Sequence, residues 1–339
     1  MTAGFVTQIS EMFKSTGPIT TDWLSYLLEH KLDRLPPPGD GMTLVRWRAL
    51  SAVAEFDLSL AKLYEGHTDA LAILHELDLS GSVATEGQWC VWAAETPNGR
   101  SVVEISGNGH AVLNGAKHWC SGAHTADHAL VTAWNSDGTG PYLIAIDLNQ
   151  PGIDMDGQKW RAVGMAKSMS VNVSFDNVKG QLAGDVGDYL RRPGFWHGGA
   201  GVASCWYGGA VGIASTLRQS LMAGTADKNG FKLAAFGKVA LALEETAAVL
   251  RKSAKWIDDH PAQDASQVAF MSRLSAEKSA KLVIEEVGKA MGASPFCLNQ
   301  KFAQAMADLP VFIRQSHAER DFVAFGCSGL IKRDSPLGC

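Results

Sequence analysis

The chain has 339 residues, of which 46% are hydrophobic and 19% charged, with a formal net charge of −5. That length fits one large domain or two to three small ones, with enough apolar content to bury a real core. The absence of any Lys/Arg run excludes the clustered cations of a nucleic-acid footprint, and no apolar run reaches the length of a membrane span.

Residues 1–9 lack the basic start and apolar core of a signal peptide, so a cytoplasmic protein is expected. Segments 5–32 and 44–77 carry apolar residues at three- and four-residue spacing, as in Trp47, Leu50, Val53, Ala54 and Leu58, and Pro36-Pro37-Pro38-Gly39 breaks the two blocks. This predicts an N-terminal helical domain over 1–80. At Ser80-Gly81-Ser82 the pattern changes. Cys90-Val91-Trp92, Val102-Val103-Glu104-Ile105, Ala129-Leu130-Val131-Thr132, Tyr142-Leu143-Ile144-Ala145-Ile146 and 171–175 are short β-rich runs separated by Gly, Asn and Asp. They predict a small antiparallel barrel or sandwich over 81–190. Within it Asn114-Gly115 stands between two apolar runs, which by itself signals a type I′ hairpin turn.

From Gly198 onward Gly and Ala recur at close spacing, in Gly208-Gly209-Ala210-Val211-Gly212-Ile213-Ala214, and amphipathic segments follow at 234–257, 266–291 and 298–325. These predict a second helical domain over 191–339, a four-helix bundle packed through small residues. Residues 332–339 read as a frayed terminus. The fold class is therefore α+β and multidomain: N-terminal helices, a middle antiparallel β domain and a C-terminal four-helix bundle. The six cysteines, Cys90, Cys120, Cys205, Cys297, Cys327 and Cys339, show no CxxC spacing and are expected as reduced thiols, several of them core filler. His124 and His128 have HxxxH spacing but lie between predicted strands without an adjoining Glu, so no metal is expected.

The stretch Leu113-Asn114-Gly115-Ala116-Lys117-His118-Trp119-Cys120-Ser121-Gly122, followed by Val163-Gly164-Met165-Ala166-Lys167-Ser168 and the strand Val173-Ser174-Phe175-Asp176-Asn177-Val178, resembles the middle domain of the acyl-CoA dehydrogenase family. The order helix, sheet, helix is that family's architecture, here in a divergent and shortened form. The resemblance implies FAD held between the middle sheet and the C-terminal bundle. Trp119 would lie against the flavin ring, and Ser121 would offer a hydroxyl to its edge. It also places Trp92 where the family presents a hydroxyl to the pyrimidine, and Gly288 and Gly292 where backbone approaches the adenine half. The family's Arg-x-x-Phe-Gly, which reaches the pyrophosphate, has no counterpart in Asn229-Gly230-Phe231-Lys232, and a Lys point charge does not replace a bidentate Arg.

The implied reaction is α,β-dehydrogenation of an acyl-CoA thioester. A Glu takes the α-proton, and electron-transfer flavoprotein is a possible partner. The usual Glu is missing. Its slot near the chain's end holds Ser316, and the alternative slot at the start of the C-terminal helices holds Val202 beside Ala203. An unaided hydroxyl cannot take an α-proton. The substitute bases are His317, whose imidazole titrates near neutrality, then Glu319, with Glu95 as a further candidate; the plainer reading pairs His317 with Asp321, four residues on. Two other readings stand beside dehydrogenation: a reduced-flavin monooxygenase or oxidase on the same fold, and a non-catalytic flavin- or acyl-binding subunit. A homodimer or homotetramer is expected, since the family completes each site from a neighbouring subunit.

Overall fold

A computed structural model of the chain describes residues 2–15, 22–79, 83–223 and 230–331. The pattern change at Ser80-Gly81-Ser82 and the terminal stretch 332–339 lie outside the described residues. The architecture is N-terminal helices, a central β-sheet and C-terminal helices.

The helices α1 (Thr2–Ser15), α2 (Trp23–Glu29), α3 (Thr43–Phe56) and α4 (Leu58–Glu76) precede the sheet. Asp22 caps α2, its carboxylate accepting from the Leu24 and Ser25 amides. The break between α3 and α4 falls at Asp57, which has extended backbone. Seven strands follow: β1 (Trp89–Trp92), β2 (Ser101–Ile105), β3 (His110–Cys120), β4 (His128–Ala133), β5 (Tyr142–Asp147), β6 (Ile153–Asp156) and β7 (Val171–Leu182). Their order is β1-β4-β5-β7-β3-β2, with β6 added to β7. Val102 bridges to Trp134, just past the end of β4, and this link joins β2 back to the β4 side and rounds the sheet into a barrel. The strands' inward residues, among them Trp92, Leu113, Val131, Ile144, Val173 and Phe175, form one buried core.

One expectation is corrected in the sheet. The pairing is not wholly antiparallel, because β1 runs parallel to β4, the two being separated in sequence by the β2–β3 hairpin. Asn114-Gly115, whose local chemistry is that of a hairpin turn, lies inside a strand as the family resemblance implies: β3 continues through it with a register shift against β7. The Asn114 side chain accepts the Asn177 amide at 2.8 Å, and Gly115 takes φ +100 with the Arg100 carbonyl so close that a Cβ would lie 2.7 Å from it. Pairing of β3 with β2 over 111–115 and with β7 along most of its length outweighs a local turn signal. The short strand β6 had no predicted counterpart.

The C-terminal helices are α5 (Asp188–Arg191), α6 (Gly194–Ala223), α7 (Gly230–Asp259), α8 (Ser266–Met291), α9 (Ser294–Leu298), α10 (Gln300–Phe312) and α11 (Glu319–Ile331). The segment expected as one helix over 298–325 is broken: Pro310 lies in the last turn of α10, residues 313–315 tighten to a 3₁₀ turn, and Ala318 takes φ +48 before α11 begins.

By packing, the chain forms two compact units. One comprises residues 1–37 and 59–195, the other 38–58 and 196–339. The three-part division expected at 80 and 190 follows element type instead, and the difference lies in α3. This helix belongs with the second unit because Gly41 and Thr43 at its start donate to Asp258 of α7, the Thr43 hydroxyl at 2.6 Å. Its other contact explains the small residues of α6. A Cβ on Gly208 would come within 2.2 Å of the Ser51 carbonyl oxygen, and one on Gly212 within 2.7 Å of that of Glu55. The Gly/Ala run therefore packs closely against α3. In the first unit, buried His67 of α4 accepts the Trp89 amide on Nδ1 and donates from Nε2 to Asp33, fastening the helices to β1.

Candidate functional site

The C-terminal end of β3 is where the first unit departs most from regular structure. Trp119 takes φ +63, rare for a bulky residue, and β3 slips register against β7 between Lys117 and Cys120. The loop facing it, between β6 and β7, holds two more side-chain-bearing residues in the left-handed region, Met165 (φ +59) and Met169 (φ +41), on either side of a 3₁₀ turn. Strain of this kind persists only where surrounding structure enforces it, and it concentrates at functional sites.

What enforces it can be followed residue by residue. Lys117 is completely buried, and its ammonium donates to Glu95 (2.7 Å), to the Thr132 hydroxyl (2.7 Å) and to the Thr132 carbonyl (2.9 Å). Burial lowers the Lys117 pKa, opposed by the hydrogen bond and charge of Glu95. Two residues on, Trp119 is turned outward with 62% of its surface open. Trp160 stands edge-on to it, ring centroids 6.4 Å apart and planes at 84°, itself held by an Nε1–H bond to the Ala166 carbonyl at 2.8 Å. Ser121 follows. Its amide donates to the Trp119 carbonyl, its carbonyl accepts the indole N–H of Trp92 at 3.1 Å, and its hydroxyl lies 2.7 Å from that of Ser170. Gly122 then donates to the Ser168 carbonyl, latching the β6–β7 loop to the end of β3. The result is an open indole face beside a half-buried hydroxyl, on a rigid strand end.

Of the residues expected there, Trp119 and Ser121 are brought together at this corner. Trp92 is near but does not face outward: its indole is buried in the barrel core and serves to hold Ser121. Glu95 is not a free base, since Lys117, the Thr132 hydroxyl and the Trp134 indole all donate to it. Burial also explains the thiols next to this strand. The Cys90 pKa is pushed up to about 12 and that of Cys120 is raised as well, so neither is a nucleophile near neutral pH. Cys205 is buried, Cys297 and Cys327 are exposed, and all five described cysteines are free. His124 lies in a turn and His128 opens β4, its ring tilted at 32° against Trp89 with centroids 4.8 Å apart.

In the second unit the residues expected to carry catalysis gather at the junction of α10 and α11. Ser316 is buried and its Oγ accepts the Ala318 amide at 3.0 Å, capping the turn into α11. His317 is 70% exposed and pairs with Asp321 at 3.4 Å, as its plainer reading has it. Asp321 is buried and is held by Arg273, which also donates to the Gln315 carbonyl. Glu319 lies exposed in the first turn of α11. A carboxylate that sequence reasoning missed does adjoin Ser316: Glu277 of α8. Burial raises its pKa, but Lys281 at 2.5 Å, Ser316 and Arg314 outweigh that and hold it below the ordinary carboxylate range. No local signal marks Glu277, which looks like one of many i,i+4 helix charges. Val202 and Ala203 are buried in α6. Gly288 and Gly292 end α8, Gly292 at φ +66 with its amide on the Gly288 carbonyl, which is a helix C-cap.

Residues 90–178, essentially the barrel, match the family described as acyl-CoA dehydrogenase, middle domain. The solved glutaryl-coenzyme A dehydrogenase in complex with glutaryl-CoA superposes over 97% of this chain and 95% of its own, with a TM-score of 0.79 at 16% identity. Its fold is that of the acyl-CoA dehydrogenases. Within this fold the chain is as similar to TdsC, a dibenzothiophene monooxygenase from Paenibacillus sp. A11-2 solved with FMN and indole: 20% identity over 96% of each chain, TM-score 0.79. KijD3, solved with FMN and a dTDP-linked amino-keto sugar, gives 19% identity over 99% of this chain and 93% of its own, TM-score 0.78. No curated protein sequence matches. Among the described residues no helix is long and apolar enough to cross a membrane, and no group of three His, Cys, Asp or Glu is placed to hold a metal ion.

Proposed function

We propose that this protein is a flavin-dependent oxidoreductase of the acyl-CoA dehydrogenase fold that works as a reduced-flavin monooxygenase or oxidase on a small molecule, not as a thioester dehydrogenase. One observation carries the choice: the position of the α-proton base is filled by a helix-capping Ser316, and the neighbouring carboxylate, Glu277, is paired so strongly with Lys281 and Arg314 that it is a weak base. His317 is engaged with Asp321, and Glu319 is a solvated helix charge. Removing a positioned base costs a dehydrogenase about 10²–10⁴-fold, whereas oxygen chemistry at the flavin needs none at that place. The FMN-bound TdsC and KijD3 structures are consistent with this reading, since the same fold serves both chemistries.

A flavin fits the residues present. The open face of Trp119 suits a planar ring, Trp160 fixes its orientation, and Ser121 offers a polar atom at the ring's edge. When bound, the flavin would supply the redox chemistry; the chain's part is to hold the ring, shield one face of it and pair its edge. For the adenine half that FAD would add, the support is thinner. Gly288 and Gly292 serve as a helix cap, and Lys232 is bonded to Ser220 at 2.9 Å, so an FMN-sized flavin is favoured over the expected FAD. Electron-transfer flavoprotein has no place in this reading, since O₂ accepts the electrons. A homodimer or homotetramer remains part of it, with the 90% exposed Phe231 and the exposed Leu241 on α7 as contact candidates. The deciding experiment is anaerobic: the protein loaded with oxidised flavin is mixed with acyl-CoA thioesters from short to long chain. No bleaching is expected. Bleaching by any of them would overturn the choice and restore dehydrogenation.

A further inference from the structure

The hydroxyl of Ser121 belongs to a row of oxygen atoms whose protons can be counted. Ser121 Oγ lies 2.7 Å from Ser170 Oγ, Ser170 Oγ lies 3.0 Å from Ser168 Oγ, and Ser168 Oγ lies 2.8 Å from the carbonyl oxygen of Met165. Each of these three contacts needs a proton between the two oxygens, and three hydroxyls supply three protons. The Met165 carbonyl has none to give, so the last contact uses the proton of Ser168. Ser170 must then donate to Ser168, and Ser121 must donate to Ser170. The amide of Ser121 is likewise committed, to the Trp119 carbonyl at 3.1 Å. Ser121 has no donor left; toward a ligand it offers only a lone pair.

Resting on the flavin reading above, we propose that Ser121 is a one-way acceptor that selects the reduced flavin ring over the oxidised one. The edge nitrogen N5 of an isoalloxazine is a bare acceptor when oxidised and carries a hydrogen when reduced. An acceptor-only partner pairs with the second form and confronts the first lone pair to lone pair. An unmatched polar pair that the bound ring covers from water loses more than the bond itself, so the two forms differ by about tenfold in affinity or more. The selectivity comes from Ser168 and Ser170, neither of which needs to touch the ligand. They are positioning residues that set the direction of the Ser121 proton.

The experiment measures dissociation constants for oxidised FMN and, anaerobically, for photoreduced FMN in wild type, Ser168→Ala, Ser170→Ala and Ser121→Ala. Wild type is expected to bind the reduced form at least about tenfold more tightly, equivalent to about 30 mV per tenfold for a two-electron couple. Ser168→Ala frees the Ser170 proton to turn toward Ser121, which in turn releases the Ser121 proton to the ligand. Oxidised FMN should then bind more tightly and the ratio collapse, while the Met165 carbonyl keeps the Ser168 amide as a partner at 3.0 Å. Ser170→Ala should act in the same direction and stands in should buried Ser168 tolerate no change. Ser121→Ala should also collapse the ratio, but by weakening the reduced form. A purely structural role would weaken both forms together. FMN binding with equal affinity in both states, or a ratio unmoved in Ser168→Ala and Ser170→Ala, would overturn the proposal while leaving the flavin reading intact. Failure of folded wild type to bind either form would overturn both.

Discussion

Replacing Trp119 by Ala tests the site at its most exposed point. The indole is 62% open and touches the chain chiefly through the edge-to-face contact with Trp160, so its removal should lower folding stability by no more than about 1 kcal/mol. The cost should fall on binding instead. One face of an indole is roughly 100 Å², about half of what a large aromatic side chain can bury, and at about 25 cal/mol per Å² its coverage contributes about 2.5 kcal/mol. That corresponds to a loss of about 70-fold in flavin affinity. Little of it should be offset by lost ordering, because Trp160 and the backbone at φ +63 already hold the ring in place. Titration of FMN fluorescence measures the affinity, and a urea melt of the same sample measures the fold. Affinity within about threefold of wild type in a variant with an unshifted melt would show that the ring does not lie on Trp119, and the site would have to be sought elsewhere. The same variant should lose most of the tryptophan fluorescence quenching that FMN causes, although nine other Trp residues remain of the ten in the chain.

Four other outcomes are expected. Glu95→Ala leaves the buried Lys117 ammonium with only Thr132 as partner and should destabilise the barrel by about 1–3 kcal/mol in urea, below the usual cost for a fully enclosed pair because Glu95 itself is partly open to water; no loss would mean that Lys117 is neutral or reaches solvent. Gly208→Ala should destabilise by about 1–3 kcal/mol despite the better helix propensity of Ala, since the new Cβ meets the Ser51 carbonyl at 2.2 Å; a higher melting temperature would refute the close α3–α6 packing. Cys90, with its pKa raised from 9.0 to about 12, contributes stability that is present below pH 9 and lost as pH rises through 12, so Cys90→Ala should flatten the alkaline decline of stability in that window. Ser316→Glu would set a second carboxylate beside Glu277, so the new acid should titrate above the ordinary range and stability should fall between pH 4 and 7; restored acyl-CoA dehydrogenation in this variant would show that the thioester pocket survives and would count against the monooxygenase reading.

Much of the fold could be read from local pattern because most of the barrel strands contain short apolar, β-prone runs closed by Gly, Asn or Asp, and such runs announce themselves. Taken alone, one local signal points the wrong way and is overruled by distant pairing. Asn114-Gly115 has the turn chemistry of a hairpin, yet β2 and β7 hold β3 straight on either side and turn the pair into a bulge. The break at Ser316 was invisible for the opposite reason: the apolar periodicity of 298–325 runs on across it, while the unwinding comes from Pro310 and from the left-handed Ala318. The grouping of α3 with the C-terminal helices could not be read either, because the pairing of Thr43 with Asp258 joins residues 215 apart in the sequence.

The site shows the same division more sharply. Trp119 and Ser121 were legible as a motif, but what gives them their properties is not in the motif. In a regular strand Trp119 would share the inward face of Lys117, which Glu95 and Thr132 hold buried; it faces outward because β3 shifts register between Lys117 and Cys120. Ser121 has its hydrogen-bond polarity fixed by Ser170, 49 residues away, through a loop held at two left-handed methionines. A Ser in a motif carries both a donor and an acceptor on paper; which one it shows a ligand is decided by where its proton is already engaged. Two chains with the same Trp-x-Ser could therefore present opposite polarity to the same ring, and similarity in that motif alone would not reveal the difference. It follows that the residues most informative about the redox preference of this site are Ser168 and Ser170, not the strand that first drew notice.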